Sequence, residues 1–384
     1  MPSPSRFALA ACLLVVLPGS AHARHVTVDT GTCRAVDGIL TAMHAGASHD
    51  RVKASLDSLL DTPAYRTMFH HYNRSWRPNH LPPAVFERMI LSLEFPDEYH
   101  AGENPRADSM LVRWRAAYDD LPRYESRLRS LEAANLPVLI DRGVAYAQTW
   151  LPKGWTIPDF TLVVQPQGGS PAFSIDDAQG YDFLQLPSEA SGGLDVDWLV
   201  GTIAHESNHL GIRGHGVRLA NPADSIAYAL VNLCVAEGVA NEFISGPPAG
   251  LCPKIPGVLF HVFTPPLAAS WEARVAEEPE IFAHMAGLLD RAVRDSLTQA
   301  DLDQEMRSYW FEGVIGRGYV FGSEMLGAID LGLGKAAVLE AIEDPRKMFA
   351  LYDRALDRKP RLLAKCVRLP RKTIEQALAI GKVK

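Results

Sequence analysis

The 384-residue sequence lacks several features that mark particular classes of protein. It has no excess of positive charge, because 45 Asp and Glu outnumber 38 Lys and Arg, and a net charge of −7 argues against nucleic acid as the main partner. No internal repeat or low-complexity tract is evident, so a repeat architecture is not expected. Beyond the N-terminal residues, no uncharged apolar run is long enough to span a bilayer. We therefore expect one compact, globular protein.

The first 23 residues have the pattern of a secretory signal peptide. A short positive region ends at Arg6, residues 7–17 are apolar, and Ala21-His-Ala23 is a small-x-small cleavage site. We expect export to the periplasm or the extracellular space, with cleavage near Ala23. The exported chain is expected to have no transmembrane segment.

Cysteine is scarce, since the chain has five and Cys12 lies in the predicted signal peptide. The other four can pair in three ways, and an oxidising compartment favours disulfide bonds. We favour Cys234 with Cys252, which are close in sequence, and Cys33 with Cys366, which would join the two ends. The sequence thus predicts two disulfides and no free thiol.

The strongest chemical signal is the segment Gly201-Thr-Ile-Ala-His205-Glu206-Ser-Asn-His209-Leu. Residues four apart lie on one face of a helix, so His205 and His209 can bind one Zn²⁺ while Glu206 reaches a water molecule beside it. The capping side chains of Leu194-Asp-Val-Asp197 and an apolar stripe indicate that the motif lies on a half-buried helix. This pattern predicts a zinc hydrolase with Glu206 as general base.

The third zinc ligand has two candidates. A second helical run begins at Asp224, is almost wholly apolar, and then presents Glu237. A carboxylate on a buried helix is costly unless a cation compensates its charge, which favours Glu237 as the ligand. His215 is the rival, because it follows His209 by six residues, the spacing of the metzincin motif.

These residues resemble the gluzincin metallopeptidases, in which two motif histidines and a later helical glutamate bind zinc. The resemblance rests on His205-Glu-Ser-Asn-His209 and on Glu237-Gly-Val-Ala-Asn241. Within that clan, the chain is similar to a family of secreted zinc-dependent peptidases of unassigned function. The resemblance implies hydrolysis of peptide bonds, and it places Asn241 where a side chain can accept a hydrogen bond from a ligating imidazole.

Gluzincins also use a Tyr or His beyond the third ligand to stabilise the oxyanion. Tyr319 is the candidate here, because Arg317-Gly-Tyr-Val-Phe-Gly322 sets a phenol between two glycines that permit close approach of the backbone. His261, His284 and Tyr309 are weaker alternatives.

The periodicity of apolar residues predicts a mostly helical α+β fold. Proline-containing breaks separate predicted helices at residues 35–60, 83–93, 107–131 and 136–150. Predicted strands at residues 160–165, 172–175 and 181–186 precede the zinc helices, and the chain from Pro265 onward is helical again. We expect a signal peptide at residues 1–23, a helical N-terminal subdomain at 24–150, and a zincin-like core with a small antiparallel sheet at 151–384.

Two classes of function fit the sequence. The first is a secreted zinc-dependent peptidase acting on peptide or protein substrates. The second is a non-catalytic periplasmic binding or scaffold protein with a residual or structural zinc site. Glu206 favours the enzyme, because a structural site needs ligands but no base. A zinc-dependent esterase or deacylase with the same residues is a further alternative.

Overall fold

The computed structural model describes residues 25–381, except 75–78, 189–192, 216, 218, 254–257, 259–261 and 314. The predicted signal peptide and His261 lie outside the described residues. Within them, the fold is α+β and mostly α-helical, as predicted.

Among the described residues, seven α-helices precede most of the sheet: α1 Gly31–His44, α2 His49–Leu60, α3 Pro63–Tyr72, α4 Pro83–Leu91, α5 Pro105–Asp119, α6 Leu121–Ala133 and α7 Leu136–Gln148.

Helices α3 to α7 each carry a proline in the first turn, where its missing N–H costs no hydrogen bond. Pro63 begins α3 three residues after α2 ends at Leu60, so the helix predicted to end at residue 60 does end there. The single helices predicted at 35–60 and 107–131 are each two helices, divided at Gly46, which has φ 72°, and at Asp120, whose side chain caps α6.

The sheet has four strands: β1 Val26–Asp29, β2 Phe160–Gln165, β3 Ala172–Ile175 and β4 Ala178–Asp182. Their order is β1-β2-β4-β3, with β1 and β4 parallel to β2 and with β3 antiparallel to β4. The predicted antiparallel sheet is therefore a mixed one, because the helical first half connects β1 to β2 as a long crossover. The strand predicted at 181–186 ends at Asp182, whose carboxylate accepts a hydrogen bond from the Leu184 N–H and begins a short 3₁₀ turn.

The second half is built from nine α-helices within the described residues: α8 Val196–Arg213, α9 Pro222–Val239, α10 Pro265–Val275, α11 Glu278–Val293, α12 Gln299–Glu305, α13 Arg317–Leu333, α14 Lys335–Glu343, α15 Met348–Arg358 and α16 Arg371–Ala379. A π-helical turn, Ala240–Ser245, continues α9. Together they form a run that is long and apolar enough to cross a membrane by length and composition, and 72% of its most apolar window is buried inside the protein. Such burial is typical of the core helix of a folded protein.

One hydrophobic core extends from α1 to α16. It includes Cys33 and Leu40 from the first helix and Ala377 near the last. Strand β1 joins the same sheet as β2, so the chain before residue 150 contributes directly to the sheet. The subdomain boundary at residue 150 stays a prediction.

The pairing of the cysteines differs from the one expected. Cys252 is bonded to Cys366, whereas Cys33 and Cys234 are buried free thiols. Both favoured pairings are wrong, and so is the prediction of no free thiol. The physical reason is that Cys33 is enclosed where its thiol contacts the Val164 carbonyl at 3.2 Å, while Cys234 lies in α9 where that helix packs against α13.

Candidate metal centre

The motif lies on α8, as its pattern predicted. The Asp195 carboxylate caps this helix by accepting a hydrogen bond from the Trp198 N–H at 2.9 Å. Leu199 and Ile203 are fully buried and anchor the helix in the core. His205 and His209 consequently face the same side, toward α9 and its π-helical turn.

Helix α9 supplies the third side chain. Asn221 caps it by accepting hydrogen bonds from the N–H groups of Ala223 and Asp224, so the helix begins slightly before the predicted start. Near its end, Gly238 packs directly on the backbone of Gly322 in α13. Glu237 therefore sits on a helix that is held between two others.

The ligand atoms of the three side chains form a small triangle. The Nε2 atoms of His205 and His209 are 3.0 Å apart, and Glu237 Oε2 lies 3.4 Å from His209 Nε2 and 3.8 Å from His205 Nε2. Each side chain is between 12% and 17% exposed, so the triangle opens to solvent on one side. Within the described part of the chain, this is the one group of three or more His, Cys, Asp and Glu close enough to hold a metal ion.

The distances between the ligand atoms and the types of donor in this triangle both fit a zinc ion. Bonds of about 2.0–2.2 Å in a tetrahedral site place the ligand atoms roughly 3.3–3.6 Å apart, close to the three distances observed. Two imidazoles and one carboxylate are also the donor set of catalytic zinc sites that keep one position open. His215 lies outside the group, because its exposed ring stacks on Trp155 at a centroid distance of 4.2 Å.

The surroundings shift the pKa values of the site. Burial, aided by His209, lowers the pKa of His205 to about 3, so its imidazole is neutral and can act as a ligand. Burial also acts to lower the pKa of His209, but the Glu237 and Glu206 carboxylates outweigh it and raise that pKa. Burial raises the pKa of Glu206 to about 7, the range suited to a general base near neutral pH.

Ser245 was not foreseen from the sequence. Its buried hydroxyl lies 2.9 Å from His205 Nδ1, which orients the ring with Nε2 toward the triangle. Asn241 instead donates its amide N–H to the Glu237 carbonyl at 2.8 Å. A π-helical turn changes the phase of the helix, so the helical spacing that led to Asn241 could not have indicated Ser245.

Tyr319 lies in the first turn of α13, with its ring edge-on to Phe311 at 5.3 Å. It is three residues before Gly322, the point where α13 contacts α9, and its catalytic role stays a prediction. The weaker alternatives His284 and Tyr309 stack on each other at 3.8 Å.

The sequence resembles a described protein family. The profile of a protein family described as "Putative zinc dependent peptidase (DUF5700)" matches residues 56–360. This span includes the helices that carry His205, His209, Glu237 and Tyr319. No curated protein and no solved structure matches the chain. Because the match covers most of the sequence, the protein belongs to this family.

Proposed function

We propose that the protein is an exported zinc-dependent peptidase that uses Glu206 as general base. The observation that carries the proposal is the triangle of His205, His209 and Glu237, whose distances suit a zinc ion with one open position. Glu206 lies next to the first ligand and is buried, with a pKa raised to about 7. A purely structural site has no use for such a base.

Each residue has a distinct role in this proposal. His205, His209 and Glu237 would hold zinc, which when bound polarises a substrate carbonyl and makes water more acidic. Glu206 takes the proton from the attacking water and later delivers it to the leaving amine nitrogen. Tyr319 is proposed to donate its phenol hydrogen bond to the oxygen that becomes negatively charged. The signal-peptide pattern of residues 1–23 supports action outside the cytoplasm.

The test is the variant Glu206→Gln, which keeps the shape of the side chain and removes the base. We expect near-stoichiometric zinc by mass spectrometry and a loss of hydrolysis of about 10²–10⁴-fold in a peptide-library digest. Asp197→Asn is the matched control, because Asp197 is an exposed acid on the same helix. A Glu206→Gln variant as active as the parent would show that the mechanism is wrong.

A further inference from the structure

The segment from Asp353 to Glu375, which includes the end of α15 and the beginning of α16, is strongly basic. It contains eight Lys and Arg against three Asp and Glu, although the whole protein has a net charge of −7. Tyr352 and Leu356 bury the inner face of α15, so the charged side chains of this helix face outward. The local charge is therefore opposite in sign to the charge of the whole molecule.

The three acids of this segment are already bound by two of its basic side chains. Arg368 binds Asp353 at 3.0 Å and Asp357 at 2.8 Å, and Arg371 binds Glu375 at 3.0 Å. Five other basic side chains are exposed and form no ion pair within the described part of the chain: Arg354, Arg358, Lys359, Arg361 and Lys365. Their positive charge is consequently available to a partner.

The turn after α15, which carries three of these five cations, is held in place by the fold. Within the turn, the Leu363 N–H donates to the Lys359 carbonyl at 3.0 Å. At its end, the Tyr352 hydroxyl donates to the Val367 carbonyl at 2.7 Å, and Cys366 forms the disulfide with Cys252. Binding a partner therefore requires little ordering of this backbone.

An exposed leucine lies among these cations. Leu362 is 47% exposed, whereas its neighbour Leu363 is buried in the core. An apolar side chain adds nothing to the binding of a soluble polyanion, but it is stabilised when it enters the boundary between the headgroups and acyl chains of a membrane. Cations that surround an exposed leucine thus favour a membrane surface over a soluble polyanion.

We propose that the five unpaired cations and Leu362 form a docking surface for an anionic phospholipid membrane. The cations contact the phosphate groups, and Leu362 enters the boundary beneath them. The Debye length is about 8 Å at physiological ionic strength, so acids on distant faces of the protein weaken this attraction little. The docking surface includes no residue of the metal centre, and the inference does not depend on the proposed function.

Binding to phospholipid vesicles tests the proposal. The protein without residues 1–23 is used, because the apolar residues 7–17 would themselves bind lipid. We expect it to sediment with vesicles of equal parts phosphatidylglycerol and phosphatidylcholine, less strongly as salt is added, and not with vesicles of phosphatidylcholine alone.

Variants of the docking surface locate the contact. Arg361→Gln combined with Lys365→Gln should weaken binding about 25-fold, since each Lys or Arg near an anionic surface strengthens binding about fivefold. Leu362→Ser should weaken it about 3–10-fold. Arg51→Gln combined with Arg123→Gln is the matched control, because it removes two exposed cations from α2 and α6, and it should bind as the parent does.

The outcomes distinguish a membrane from other partners. A parent that does not bind the anionic vesicles overturns the proposal, and so do equal losses of binding in the two double variants. Heparin that binds the parent as tightly as the vesicles do, together with unchanged vesicle binding by Leu362→Ser, would identify a soluble polyanion as the partner instead. All these changes are at exposed positions, and equal urea midpoints for parent and variants verify that the fold is intact.

Discussion

At the scale of single residues, we expect the proposed metal centre to depend most on Glu237. Its carboxylate lies 3.4 Å from His209 Nε2, whereas the rival His215 lies two residues beyond the end of α8 and stacks on Trp155. A neutral amide in place of this carboxylate is a poor ligand for Zn²⁺. Measurements of zinc binding to variants of Glu237 and His215 therefore distinguish these two candidate ligands.

We expect Glu237→Gln to weaken zinc binding by more than about 100-fold, since even the loss of an outer hydrogen-bonding partner costs 10–100-fold. His215→Ala should bind zinc as the parent does, because its ring is outside the triangle. Zinc content after competition with a chelator of known affinity measures both. A metal-free His215→Ala beside an unchanged Glu237→Gln would establish a metzincin-like site instead.

At the scale of helices, α9 and α13 touch through their backbones. A Cβ atom on Gly322 would lie 1.9 Å from the Cys234 carbonyl oxygen, and one on Gly238 would lie 2.4 Å from the backbone of Gly322. No side chain larger than hydrogen fits at this crossing. Because Glu237 is next to Gly238, the crossing determines how far the carboxylate reaches toward α8.

Gly322→Ala should therefore separate the two helices. We expect the free energy of unfolding to fall by about 1–3 kcal/mol, as for other overpacked sites, together with weaker zinc binding. Gly287→Ala on α11 is the matched control, since nothing lies within 4 Å of its added Cβ. That variant should be neutral or more stable by up to about 1 kcal/mol in urea denaturation. Equal free energies of unfolding for Gly322→Ala and Gly287→Ala would contradict the close contact between α9 and α13.

Helices α11 and α13 also bring two carboxyl groups into the interior. Burial raises the pKa of Glu278, with a further contribution from the charge of Glu324, and burial raises the pKa of Glu324 as well. Glu324 accepts a hydrogen bond from the Cys252 N–H at 2.7 Å. In the unfolded chain both carboxyls titrate near 4.5, so the folded protein retains protons that the unfolded chain has released.

The sign of the pH dependence follows from this difference. Stability should be greatest below pH 4.5 as far as these two groups are concerned, and it should fall as the pH rises toward their raised values, by up to about 1.4 kcal/mol per pH unit for each proton. Glu278→Gln should flatten this decrease, whereas Glu280→Gln, an exposed acid on the same helix, should not. Urea denaturation from pH 5 to pH 9 measures both slopes, and parallel curves for Glu278→Gln and the parent would refute the prediction.

At the scale of the whole molecule, the Cys252–Cys366 disulfide joins segments 114 residues apart. It connects the loop after the π-helical turn to the chain after α15. A chain without the first 23 residues should yield two thiol equivalents when it is denatured without reduction, from Cys33 and Cys234. Four equivalents would show that the disulfide does not form, and none would restore the two-disulfide prediction.

Local features of the fold and of the site could be predicted from the sequence. The spacing of His205 and His209 placed both rings on one helix face, and Asp195 lies in the segment predicted to cap that helix. The strands Phe160–Gln165 and Ala172–Ile175 were predicted with their observed bounds. Each of these features depends on residues within one or two turns of chain, where helix and strand geometry leave few alternatives.

Contacts between distant segments depend instead on the tertiary structure. It brought Glu237 to the two histidines and left His215 aside, placed Ser245 beside the His205 ring, and paired Cys252 with Cys366. It also set β1 parallel to β2 across a mostly helical connection of more than a hundred residues. Such contacts depend on how whole helices pack on one another, and the linear spacing of residues does not encode which buried faces will meet.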